Sequence, residues 1–143
     1  MIEVSRILVS EKLENKDLRH RRREGSAPVV VWCTTRRCNL NCMHCYSGGN
    51  AASVGELSTD EAKRMLDELA DCGSPFMILS GGEPFLRADV FELGRYAMEI
   101  GLPVIVSSNG TLVTRETAAK AAEAGFGYVG VSLDGLAETN NSF

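Results

Sequence analysis

Proline is scarce in this chain of 143 residues (4), histidine scarcer (2), and tryptophan occurs once. No apolar run approaches the ~20 residues that cross a bilayer, so no membrane association is expected. The opening residues, MIEVSRILVSEKLENK, carry charge where a secretory leader has its uninterrupted apolar segment, and a cytoplasmic protein is expected. Positive charge is not in excess: 19 acidic residues face 15 Lys and Arg, a net charge of −4. A nucleic-acid ligand, which would need a strongly basic face, is therefore not expected. The five cysteines are an odd number and follow no secretory leader, which does not suit a disulfide framework. A Ser/His/Asp arrangement and a phosphate-binding glycine loop are both missing. What remains, 44% hydrophobic and 24% charged residues, is the composition of one folded domain.

Residues 1–28 read as an N-terminal extension, net +2 against −6 for the remainder, with one dense basic patch at His20-Arg21-Arg22-Arg23. Residues 29–143 read as a single core. Val29 to Thr34 form a β-branched apolar run expected to be a buried strand. After a Gly/Ala/Ser-rich loop at 47–55, Ser58-Thr59-Asp60-Glu61 offers a capping box. Apolar residues then fall at 62, 65, 66 and 69, predicting a helix that ends at Gly73. Phe76 to Leu79 predict a second strand and Asp89 caps a helix through Ile100. Pro103 to Val106 predict a third strand, Thr114 to Ala124 a third helix, and Tyr128 to Leu133 a fourth strand. Alternating strands and helices predict an α/β fold with a parallel sheet, whose ligands gather at the C-terminal strand ends. There the sequence is polar and glycine-rich: RRCNLNC, SGGEP, SSNGT and SLDG.

Cys38, Cys42 and Cys45 form C-x3-C-x2-C directly after the first strand. Three thiolates in one loop can converge on one metal centre and leave a coordination site open, as iron–sulfur chemistry allows. Zinc is the rival, with His44 as a cramped fourth ligand. Arg36 and Arg37 cap the loop or offset cluster charge. Cys33 and Cys72 are expected to be buried structural thiols.

The stretch TTRRCNLNCMHCY resembles the signature of the radical S-adenosylmethionine (SAM) superfamily, and SGGEP, SSNGT and SLDG follow in the matching order. The resemblance implies the N-terminal part, about four βα units, of a partial (β/α)6 TIM-like barrel. It implies a 4Fe–4S cluster held by Cys38, Cys42 and Cys45, with SAM on the fourth iron. Gly81, Gly82 and Glu83 would receive the SAM ammonium, the carboxylate as acceptor and the glycines by letting a carbonyl approach. Ser132 and Asp134 would lie at the ribose, His44 near the adenine, and Asn109 beside the cofactor. No catalytic residue is assigned beyond the cluster. The implied activity is reductive cleavage of SAM to a 5′-deoxyadenosyl radical, with reduced flavodoxin or ferredoxin as electron donor.

DLRHRRR with PVVVWCTTRRCNLNCMHCY is similar to the branch that modifies siroheme-derived tetrapyrroles in haem biosynthesis, where Arg21 to Arg23 would meet substrate carboxylates. The peptide maturases with a C-terminal auxiliary-cluster domain are the alternative, and a non-catalytic iron–sulfur electron carrier is the alternative of another class. Against a six-unit barrel the chain reads as truncated. Expressed alone, it is expected to aggregate or to need a partner.

Overall fold

The computed structural model describes residues 27–46 and 55–142. The basic patch at residues 20–23 and most of the 47–55 loop lie outside them. The strands are β1 (Val30–Thr35), β2 (Met77–Gly81), β3 (Val104–Ser108) and β4 (Tyr128–Val131). The helices are α1 (Thr59–Asp71), α2 (Val90–Glu99), α3 (Arg115–Glu123) and the one-turn α4 (Ala137–Asn140), and a 3-10 turn spans Pro84–Leu86. The strands pair in the order β1-β2-β3-β4, all parallel. The expected α/β architecture of four βα units is therefore present.

Two of the helices, α1 and α3, begin where a side chain takes an otherwise unpaired N–H. Ser58 Oγ accepts from the Glu61 N–H while the Glu61 carboxylate accepts from the Ser58 N–H (2.8 Å), closing the capping box at α1. Thr114 caps α3 through the Thr117 N–H. Asp89 precedes α2 as expected, yet it makes no side-chain cap bond. Its carboxylate instead takes Arg87 Nε at 2.7 Å and the Thr59 hydroxyl at 2.7 Å. A charge-assisted pair with a guanidinium outweighs a bond to a neutral N–H.

The core lies between the sheet and the first two helices. Ala62 and Leu66 of α1, with Val90, Leu93 and Ala97 of α2, pack on Met77, Leu79, Val104 and Val106. Helix α3 contributes less, with Ala121 its one buried residue. β2 is central and its Met77, Ile78 and Leu79 are all buried. β1 is an edge strand, and here the expectation of a fully buried run is corrected. Val29 and Val31 are 42% and 56% exposed, because one strand face lacks a covering layer. Cys33 shares that exposure, and Cys72, the C-cap residue of α1, is exposed too, so neither is a buried structural thiol. β4 is the other edge among the described residues, with Tyr128 and Val131 half exposed. No helix of the described residues is long and apolar enough to cross a membrane.

Arg87 joins these layers. Nearly buried, it donates to the Thr34 carbonyl (2.9 Å), the Leu57 carbonyl (2.8 Å) and Asp89, and lies 5.0 Å from the centre of the Trp32 ring. A buried guanidinium is tolerated because it is paired in this way.

Candidate functional site

The loops after the four strands leave the sheet at one edge. The first begins at Arg36 and carries the three thiols. Its base is fixed by Glu56, whose Oε1 accepts from the Thr35 hydroxyl (2.7 Å) and the Arg36 N–H (3.1 Å). Desolvation opposes the Glu56 charge, but the bonds from Thr35 and Arg36 outweigh it and hold the carboxyl below its usual value. Arg37 reaches across to donate to the Leu86 carbonyl at 2.8 Å, so it anchors the loop.

The Gly81-Gly82 pair serves this same docking. The Gly82 N–H donates to the Thr35 carbonyl and the Glu83 N–H to the Arg37 carbonyl, both at 2.8 Å. A Cβ at Gly81, where φ is 130°, would collide with the Thr35 carbonyl, and one at Gly82 with the Arg37 carbonyl. The close approach these glycines permit is of one loop to another.

Glu83 was expected to offer its carboxylate to an ammonium. In this structure Glu83 is fully buried. Its Oε1 accepts from the Ser108 hydroxyl (3.0 Å) and the Phe85 N–H (3.1 Å), and its Oε2 from the Asn109 N–H (2.8 Å). Three donors surround a group with no exposed surface, so it fastens the β2 loop to the β3 loop.

Asn109 turns its side chain back to the thiol loop, donating to Asn39 Oδ1 (3.0 Å) and to Cys38 Sγ (3.7 Å). The Leu40 N–H also donates to Cys38 Sγ, at 3.4 Å. Ser132 is exposed at the end of β4 and its N–H donates to the Ser108 carbonyl (2.9 Å). His44 Nε2 lies 3.4 Å from Asp134 Oδ2, so the loops of the first and last strands meet. Two expected site residues distant in sequence are thus brought together.

Cys38, Cys42 and Cys45 are half-buried cysteines on one loop, with a turn closed by the Cys45 N–H on the Cys42 carbonyl (3.1 Å). As a donor set they fit a thiophilic centre such as an iron–sulfur cluster, and N–H donors on a sulfur are a usual accompaniment of such ligation. Among the described residues, no three His, Cys, Asp or Glu side chains already stand in metal-binding geometry. Asn39, Glu56, Arg87 and Thr111 went unnoticed in sequence. A polar residue inside the cysteine spacing and a Thr directly after Asn-Gly were the available signals for Asn39 and Thr111.

A family model described as the radical SAM superfamily matches residues 32–141. Fe-coproporphyrin III synthase of Methanosarcina barkeri is 54% identical over 117 residues, covering 81% of this chain and 29% of that protein. Mycofactocin maturase MftC of Mycolicibacterium smegmatis is 40% identical over 118 residues, covering 81% of this chain and 30% of that protein. The chain thus spans about three-tenths of the length of these curated relatives. The crystal structure of Streptococcus suis SuiB bound to S-adenosylmethionine superposes with a TM-score of 0.67 at 22% identity, covering 78% of this chain and 26% of that one. The fold is shared.

Proposed function

Because the chain belongs to the radical SAM superfamily, we propose that it forms the cluster- and SAM-binding part of an enzyme acting on a siroheme-derived tetrapyrrole. The observation that carries this reading is the set of three cysteines on one loop at the strand ends, with the β2 and β3 loops fastened beside them. Identity of 54% with an Fe-coproporphyrin III synthase supports the substrate class.

Cys38, Cys42 and Cys45 would hold a 4Fe–4S cluster. Such a cluster, when bound, supplies the electron that breaks a carbon–sulfur bond of SAM to give methionine and a 5′-deoxyadenosyl radical. The chain's part is placement and protection. Gly81, Gly82 and Glu83 would receive the SAM ammonium, the carboxylate as acceptor and the glycines by letting a carbonyl approach. Ser132 and Asp134 would meet the ribose, His44, 3.4 Å from Asp134, would lie near the adenine, and Asn109 would stand beside the cofactor. A reduced flavodoxin or ferredoxin donates the electron, and the reaction belongs in the cytoplasm. Arg21 to Arg23 would pair with substrate carboxylates.

Anaerobic reconstitution tests the reading in two steps. The reduced, iron-loaded protein should release 5′-deoxyadenosine and methionine from SAM, and a siroheme-derived tetrapyrrole should shift its absorbance on binding. A loaded protein that leaves SAM intact is an electron carrier instead. Cleavage without tetrapyrrole binding favours a peptide substrate, the reading that 40% identity with a mycofactocin maturase supports.

A further inference from the structure

Beside the thiols, three side chains close a hydrogen-bonded ring between the β1 and β3 loops. Asn109 Nδ2 donates to Asn39 Oδ1 at 3.0 Å, Asn39 Nδ2 donates to Thr111 Oγ1 at 2.7 Å, and the Thr111 hydroxyl donates to Asn109 Oδ1 at 2.6 Å. The orientation of the Asn109 amide is fixed independently of the ring. The backbone N–H of Thr111 can only donate, and it lies 2.9 Å from Oδ1. Nδ2 therefore stands at the other end, with two hydrogens to place. One goes to Asn39 and the other is directed at Cys38 Sγ, 3.7 Å away.

The backbone beneath is equally constrained. Glu83 Oε2 holds the Asn109 N–H at 2.8 Å, and the Ser108 hydroxyl oxygen accepts the Gly110 N–H at 2.9 Å. With Oδ1 accepting two bonds and Nδ2 donating two, the Asn109 amide has its hydrogen-bonding capacity in use.

We propose that Asn109 is a positioning residue for the metal centre, donating its amide N–H to the Cys38 sulfur and thereby setting the reduction potential of the cluster that this sulfur helps to hold. The proposal rests on the reading that Cys38 ligates a 4Fe–4S cluster. Its physical basis is electrostatic. Reduction adds negative charge that spreads onto the cysteine sulfurs, and an N–H directed at a sulfur stabilises the more negative state. The donor raises the potential, so its loss lowers it.

The test is the midpoint potential of the anaerobically reconstituted protein, read by EPR during redox titration without SAM. Asn109→Ala is expected to shift it negative by about a tenfold change in the reduction equilibrium, about 59 mV for a one-electron couple. Asn109→Asp keeps an acceptor for the Thr111 N–H, is nearly isosteric, and should shift at least as far, so it carries the test if the alanine variant does not fold. Thr111→Val opens the ring but leaves the backbone N–H on Oδ1, and should shift less in the same direction. Potentials equal to the wild type at equal iron content overturn the inference alone. A cluster lost from all three variants also overturns it, since the ring then shapes the loop without tuning a bound centre. A wild-type protein that takes up no iron overturns both the inference and the function it rests on.

Discussion

Replacing Glu83 with glutamine changes one atom of a side chain that has no exposed surface. In the wild type, Oε1 accepts from Ser108 and Phe85, and Oε2 accepts from Asn109. If the new amide nitrogen takes the Oε2 position, it faces the Asn109 N–H, donor against donor. If it takes the Oε1 position, the Ser108 hydroxyl can turn to accept, but the Phe85 N–H cannot. Either way one buried backbone N–H loses its acceptor, at about 1–3 kcal/mol, and the remaining bonds lose their charge assistance. The expected loss in Glu83→Gln is about 2–4 kcal/mol. With a urea slope of roughly 2 kcal/mol/M, the unfolding midpoint should fall by about 1–2 M. Anaerobic urea unfolding followed by the fluorescence of Trp32, the one tryptophan, and by far-UV circular dichroism reads this shift. Trp32 packs on the Arg87 guanidinium, so its emission reports on the junction next to the clamp. A Glu83→Gln midpoint within about 0.3 M of the wild type, at unchanged slope, would show that Glu83 is not the clamp described.

Serine at position 38, 42 or 45 should each remove bound iron from the reconstituted protein, whereas Cys33→Ser and Cys72→Ser should leave it unchanged; colorimetric iron per chain distinguishes the two groups. Gly82→Ala drives a methyl group into the Arg37 carbonyl and should lower stability by about 2 kcal/mol or more, unless urea unfolding finds the loop able to give way. Asp89 predicts an acid-side loss of stability. Desolvation opposes its charge, but the bonds from Arg87 and Thr59 outweigh it and hold its carboxyl below the usual value. A depressed carboxyl stabilises the fold above its unfolded pKa and loses that contribution as pH falls through the folded one. The urea midpoint of the wild type should therefore drop between about pH 5 and about pH 3, and that of Asp89→Asn should drop less. Parallel declines would remove Asp89 from the account.

Much of this architecture is legible from periodicity and capping. Ser58, Gly73, Thr114 and Gly125 mark helix ends within a residue or two of where α1 and α3 begin and stop. Strand ends are less legible, because pairing with neighbours extends them. β3 runs through Ser107 and Ser108, polar residues that pair with Gly130 and Val131. The thiol loop and the order of the four strand-end motifs are readable as a linear pattern. What Glu83 and Asn109 touch is not, since it depends on loops meeting across 25 and 71 residues. An acidic residue in a glycine turn does not show in sequence that its carboxylate joins two loops. The apolar run of β1 misleads for a related reason, since composition does not reveal that a strand lies at an edge.

The sequential strand order also sets a schedule. Each strand is laid beside the one made just before it, so the thiol loop is synthesised first and the amide that covers Cys38 emerges 71 residues later. At about 5–20 residues per second of synthesis, that is roughly 4–14 s during which Cys38 lacks its Asn109 partner. The nascent chain therefore passes through an interval in which the thiol loop exists without the β3 loop that later fastens to it.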